Sequence, residues 1–261
     1  MEAIANAAED KLVDSLSFKL KNSAAYISDR RSCTFYPTGS NHYSATGTKV
    51  IKILLTDSVG WLDPSTVSVM FDVKNDSNQS TAELRVLGEP HVFFKRMRIL
   101  CGGSVVEDID NYSRVHELMK ILTPTDSLVN DSAQGFGRDW NHLTSLTENT
   151  LPGIPQGQNQ TVMMKLCSGL FSQEKMLPIK NMPISIELEV DSESTNPIMS
   201  YITTSGTFTS TNTSVNWHIE NVQVKCDVIT LDNQLDNSFT EHFLSGKALP
   251  VNYKIIRIFL K

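Results

Sequence analysis

Six histidines, four cysteines and one tight group of carboxylates are the side chains here that could do chemistry. His42, His91, His116, His142, His218 and His242 are scattered. None stands at the H-x-H or H-x-x-x-H spacing that aims two imidazoles at one metal from a single strand or helix. Cys33, Cys101, Cys167 and Cys226 form no C-x-x-C pair. Each sits in or beside an apolar run, so they read as buried thiols packing like small hydrophobes, in keeping with a reducing compartment. Glu107, Asp108 and Asp110 can be drawn as a divalent cation site. The plainer account is capping, because acids are favoured at the positive end of a helix and one starts here.

Other signatures are missing. The sequence has no G-x-S-x-G, no Walker loop and no G-x-G-x-x-G after a strand. Gly135-Phe136-Gly137 is a lone pair of glycines in a loop. The 23 Lys and Arg are spread out under a formal net charge of −6, without the clustered basic face of a nucleic-acid binder. The densest basic run, Lys95-Arg96-Met97-Arg98, reads as an interface or solvated strand face. No catalytic, cofactor or metal residue is assigned, and the chain is expected not to be an enzyme.

The elements that would position any site centre on Leu84 to Leu122. Val92 to Leu100 reads as a strand, Cys101-Gly102-Gly103-Ser104 as a tight reversal, and Val105-Val106 as the start of a return strand. The glycine pair can take φ > 0 without steric cost. Asp108 or Asp110 then opens a helix to about Leu122. Its apolar stripe is Ile109, Tyr112, Val115, Leu118, Met119 and Leu122. The strand carries Val92, Phe94, Arg96, Arg98 and Leu100 on one face and Phe93, Lys95, Met97, Ile99 and Cys101 on the other. Neither face is wholly apolar, so both are expected to meet protein.

Around this stretch the chain alternates with period two. Strands are predicted at 32–36, 49–55, 66–73, 161–167, 183–190 and 215–231, the last with a bulge or turn at Glu220-Asn221. Val59 to Pro64 reads as a turn. Residues 84–87 read as a short edge piece. Residues 123–160 form a long loop with Trp140 as an anchor, and 194–214 a second long loop with a weak strand near Tyr201. Residues 9–20 predict a short amphipathic helix, and 232–245 a second helix closed by Gly246 and stopped by Pro250. The N-terminus lacks the basic and apolar regions of a signal peptide, so the N-x-S/T triplets are expected to be unglycosylated. No window reaches the ~20 apolar residues of a membrane helix.

About eight strands, irregular spacing and no βαβ alternation predict an all-β fold. The expected form is an antiparallel eight-stranded jelly-roll sandwich, with short helices in loops and at both ends. The expected division is an arm at 1–30, a jelly roll at 31–231, and a helix and linker at 232–261.

Four segments carry a resemblance: Trp61 to Val67 (WLDPSTV), Leu87 to Pro90 (LGEP), Gly102 to Val115 (GGSVVEDIDNYSRV) and Phe243 to Pro250 (FLSGKALP). Together they resemble the double jelly-roll major capsid proteins of polinton-like viruses, adintoviruses and related large DNA viruses, over roughly Phe35 to Tyr253. The resemblance implies two successive jelly rolls joined by a linker, trimerising into a pseudo-hexagonal capsomer. It implies other capsid subunits and minor capsid proteins as partners, location in the virion, and assembly inside the host cell. The chain stops where the second roll is expected, so it is read as the first jelly roll, truncated. Two alternatives stay open. One is a complete single jelly-roll minor capsid or penton-like protein. The other is a carbohydrate-binding β-sandwich using Trp140 or Trp217.

Overall fold

The computed structural model describes residues 27–78, 82–86, 89–122, 154–192, 198–204, 207–213 and 216–255. The predicted helix at 9–20, Trp140, His142 and Gly135-Phe136-Gly137 lie outside them. Among the described residues, 27–29 with 230–248 belong to one compact unit, and those of 30–229 with 249–255 to another.

Thirteen strands occur among the described residues: β1 Ile27–Phe35, β2 His42–Ser44, β3 Val50–Leu55, β4 Trp61–Leu62, β5 Ser68–Asn75, β6 Ala82–Val86, β7 Phe94–Cys101, β8 Ser104–Asp110, β9 Asn159–Lys165, β10 Ile184–Val190, β11 Ile198–Thr204, β12 Thr207–Thr213 and β13 Trp217–Leu231. Two helices, α1 Tyr112–Ile121 and α2 Asn233–Leu244, complete the elements with two short 3₁₀ turns, Pro64–Thr66 and Pro90–Phe93.

One sheet runs β1-β13-β5-β9, with the short β2 and β4 also paired to β13. A second runs β3-β10-β7-β8. Setting aside β2 and β4, and the small sheet β12-β11-β6, leaves eight strands. Numbered in chain order, these read 1-8-3-6 in one sheet and 2-7-4-5 in the other. Every connection but one crosses between sheets, the exception being the β7–β8 hairpin. The β3–β10, β10–β7, β7–β8, β13–β5 and β5–β9 pairings are all antiparallel. That order is the jelly roll, in which two Greek keys close a sandwich with few exposed edges.

Alternation drives the layering, since successive side chains of a strand point to opposite faces. In β5 Val69, Phe71, Val73 and Asn75 are buried while Ser68, Met70, Asp72 and Lys74 are half-exposed. In β10 Ile184, Ile186, Leu188 and Val190 point into the same core. Phe71 meets Phe93 and Phe94 edge-on, with centroids 6.1 and 5.4 Å apart, and Phe93 meets Trp217 at 5.0 Å. Edge-to-face rings of this kind add to the gain from burying apolar area.

Several expectations are corrected. Residues 90–93 form a 3₁₀ turn, so β7 begins at Phe94 rather than Val92. Opposite β10 the register slips between Glu189, which faces Arg96, and Val190, which faces Phe94. That bulge turns Phe94 into the core although it shares parity with the outward Arg96 and Arg98. Helix α1 starts after Asn111, in the left-handed region at φ 52°, and neither Asp108 nor Asp110 caps it. Asn tolerates that conformation because its short polar side chain relieves the steric cost. Trp61-Leu62, read as part of a turn, pairs with β13. Residues 194–214 read as a long loop with a weak strand near Tyr201; that strand is present as β11, and 207–213 form a second strand, β12, antiparallel to it. The bulge in β13 falls where it was predicted: Asn221 has φ 53°, and pairing with β5 shifts between Glu220 and Gln223.

In the unit of residues 27–29 and 230–248, the Ser28 hydroxyl donates to the carbonyl of Thr230 at 3.0 Å. Asp232 caps α2 by accepting from the Gln234 N–H, and Gly246 takes φ 73° just past the helix end.

Candidate functional site

The carboxylates predicted to cluster do not converge. Glu107, Asp108 and Asp110 lie on β8, so Glu107 points inward and the other two outward. Glu107 is buried. Its Oε2 accepts from the Ser168 hydroxyl at 2.5 Å and its Oε1 from the Leu170 N–H at 2.9 Å. Burial raises its pKa, only partly offset by those bonds. It fastens the 168–171 turn to the β7–β8 hairpin. Asp108 is exposed and binds Arg96 in a two-pronged pair, 2.7 Å on each arm. That guanidinium lowers the pKa of Asp108.

The outer face of β3-β10-β7-β8 is built in rows. One row is Lys52, Glu187, Arg98 and Asp108, alternating in sign across four strands. Glu187 accepts from Lys52 at 3.1 Å and from Arg98 at 2.6 Å. The neighbouring row is Leu54, Ser185, Leu100 and Val105, with Leu54 42% and Val105 52% exposed. Both outward arginines of the basic run of β7 thus hold carboxylates, Arg96 with Asp108 and Arg98 with Glu187.

A second group collects beneath α1. His91, in the turn before β7, and His116, on α1, stack with centroids 3.5 Å apart and planes 6° from parallel. Glu89 pairs with Lys120, and its second oxygen lies 3.3 Å from His116 Nε2. His91 Nε2 is 2.8 Å from the Lys165 carbonyl. Glu89, His91 and His116 offer donor atoms within 4.8 Å of one another, a set of the type that holds transition metals. The geometry opposes that use. An imidazole binds a metal in its own ring plane, and two nearly parallel planes 3.5 Å apart share no such point. Lys120 also already supplies the cation that Glu89 requires. Sequence spacing did not reveal this group, because 25 residues separate the two histidines.

A third histidine, His218, lies 2.6 Å from Asp76 and 3.5 Å from Glu220, with the His42 ring tilted 35° to its own at a centroid distance of 4.1 Å. No hydroxyl or thiol is hydrogen-bonded to it among the described residues, so no nucleophile is activated there. His242 lies on α2. The cysteines are free, Cys101 and Cys226 buried and Cys33 and Cys167 half-buried. Burial pushes the Cys101 thiol up to about 11 and the Cys226 thiol to about 12, so these two remain protonated.

Two further points bear on the alternatives. Trp217, offered as a sugar-binding platform, is 3% exposed and belongs to the core. No described helix is long and apolar enough to cross a membrane.

No protein-family model matches the sequence, and no characterised protein aligns with it. Solved structures do match in shape. A chain in the 3.5 Å cryo-EM structure of the Sputnik virophage superposes with a TM-score of 0.52 at 10% identity. The match covers 82% of this chain and 51% of that one. The fold is shared. VP54 of the virus PBCV-1, fitted into a reconstruction of Sputnik, gives a TM-score of 0.47 at 14% identity over 84% of this chain and 46% of that one. A chain of the PBCV-1 virus capsid gives 0.46 at 14%, over 83% and 46%. The chain spans about half the length of the structures it matches.

Proposed function

We propose that this protein is a structural subunit of a viral capsid, corresponding to the first jelly roll of a double jelly-roll major capsid protein. The observation that carries the reading is the eight-strand order 1-8-3-6 and 2-7-4-5, shared in overall fold with a chain of the Sputnik particle. One roll matching about half of that chain suits a protein with two rolls. Segments 61–67, 87–90, 102–115 and 243–250 add the sequence resemblance to the capsid proteins of polinton-like viruses, adintoviruses and related large DNA viruses.

The surfaces suit a protein whose work is contact. The inward side chains fill one core, and the charged outer row of β3-β10-β7-β8 is already paired. The strip Leu54, Leu100 and Val105 and the C-terminal end of α1, where Ile121 and Leu122 are 78% and 79% exposed, leave apolar area outward. Shells hold together through many modest interfaces of this kind. Residues 1–30 would act as an arm and 232–261 as the link toward the second roll. The subunit would form homotrimers, meet minor capsid proteins, and reside in the virion after assembly inside the host cell.

The test is electron microscopy and light scattering of the chain expressed with any coding sequence continuous with it. Trimers of pseudo-hexagonal outline are expected. Five-fold assemblies would favour a single jelly-roll penton instead, and a protein that stays monomeric at high concentration with its candidate partners would overturn the capsid reading.

A further inference from the structure

We propose that an open cleft on the outer face of the β13-β5-β9 sheet, where Tyr36, Asn41, Asp72, Thr161, Asn221 and Gln223 converge, binds a neutral saccharide. The cleft has a volume of about 580 Å³. That falls within the roughly 300–1,000 Å³ of small-ligand sites.

The β-bulge makes the site. Asn221, at φ 53°, stands over Asp72 of the neighbouring strand instead of continuing the ladder. Its amide donates to Asp72 Oδ2 at 2.8 Å, and Thr161 on β9 donates to Asp72 Oδ1 at 2.5 Å. The side chain of Asn41 accepts from the Asn221 N–H at 2.9 Å, tying the 37–41 loop to the bulge as one wall. Asp72 is thus held in one orientation by two donors. A carboxylate has about four acceptor positions, so roughly two remain for a ligand.

The lining decides the ligand class. Among the described residues, Asp72 is the only charged side chain of the lining, and no Lys, Arg or His joins it. Phosphates and acidic sugars therefore find no counter-charge. The other polar groups are amides and hydroxyls, which match the paired donors and acceptors of vicinal sugar hydroxyls. Tyr36 stands at the rim, 67% exposed, its ring stacked on nothing among the described residues. A large exposed aromatic is an apolar platform with a polar tip, and the C–H face of a pyranose fits against it. Glycoside cleavage uses two carboxylates flanking the bond, and among the described lining residues Asp72 has no such partner, so binding is what the geometry points to. This inference is independent of the capsid reading, because it rests on the cleft alone.

Saturation-transfer NMR on the 261-residue chain tests it, using the methyl glycosides of glucose, galactose, mannose and N-acetylglucosamine, with sialyllactose as the acidic comparison. At about 10 mM ligand, weak millimolar affinity is detectable. Transfer to the ring protons of at least one neutral glycoside is expected. It should fall by about tenfold in Tyr36→Ala and persist in Tyr36→Trp. Since Tyr36 is exposed, the thermal midpoint of both variants should match that of the parent. Asp72→Ala should also weaken binding, and its midpoint reports any loss of the bulge. Absence of transfer from all four neutral glycosides, equal transfer in Tyr36→Ala, or preferential transfer to sialyllactose would each overturn the proposal.

Discussion

The imidazoles of His91 and His116 lie face to face, 3.5 Å between centroids and 6° from parallel, with one in the turn before β7 and the other on α1. Burial is the largest influence on His91, and it drives the pKa well below 6.5. The proximity of His116 and Lys120 pushes the same way, while the Lys165 carbonyl partly opposes. Glu89 and the Tyr112 ring complete the surroundings. His91 is therefore neutral in the fold. Its pKa is lower folded than unfolded, so below pH 6.5 the unfolded chain takes up the proton first. The stabilisation is full above that pH and shrinks as pH falls. The decline should approach about 1.4 kcal/mol per pH unit for one proton. Urea midpoints between pH 8 and pH 5 should fall on the acid side, and His91→Gln should flatten that limb. An unchanged limb in the variant would assign the acid sensitivity elsewhere.

Glu89 and Lys120 form a buried ion pair, with side chains 8% and 7% exposed. Lys120→Met leaves a buried carboxylate without its cation and should cost about 3–5 kcal/mol. The double variant Glu89→Gln, Lys120→Met should recover most of that loss, since neither partner then carries an uncompensated charge. Denaturant unfolding of the two single variants and the double variant reads this directly. Additive losses would mean that the two groups do not act as a pair.

Glu107 should separate charge from hydrogen bonding. Its folded pKa is raised by burial, so the protonated form is favoured in the fold. That contribution is fully present below about pH 4.5 and is lost as pH rises through the folded pKa. Glu107→Gln removes the buried charge and keeps one acceptor oxygen, and should change stability by less than about 1 kcal/mol at pH 7. Glu107→Ala strands the Ser168 hydroxyl and the Leu170 N–H and should cost about 2–4 kcal/mol. As pH falls toward 4.5, the parent should gain on Glu107→Gln. A gap that stays constant with pH would refute the assigned cause.

Gly169 is a close-approach glycine. A Cβ there would lie 1.7 Å from the Lys254 carbonyl oxygen, a backbone atom that cannot swing aside. Gly169→Ala should therefore displace the 249–255 segment, where Tyr253 donates to the Val106 carbonyl at 3.3 Å. Limited proteolysis should cut the variant within that segment much faster than the parent, with the sandwich itself intact. Equal cleavage rates would show that the segment adapts.

Which residues form strands, and which face of each is buried, was legible in the sequence where alternation is local. Val69, Phe71 and Val73 of β5 and Ile184, Ile186, Leu188 and Val190 of β10 announce their inner faces, because period two is a property of each strand by itself. The β13 bulge was legible too, as a break in phase at Glu220-Asn221. Strand β12 was not, since its Thr- and Ser-rich sequence carries little apolar signal.

Partnership was decided only by the tertiary structure. Glu187 stands between Lys52 and Arg98, 135 and 89 residues away, because β10 is laid between β3 and β7. His91 and His116 meet because the β7–β8 hairpin returns α1 onto the turn before β7. Phe94 faces inward because a bulge against β10 resets its phase. A side chain's periodicity depends on its neighbours in the chain and can be read from them. Its contacts depend on how the sheets close over one another, and a jelly roll sends all but one of its connections across the sandwich. Sequence separation is therefore a poor guide to distance in this fold, and the polar groups that matter most are brought together by closure.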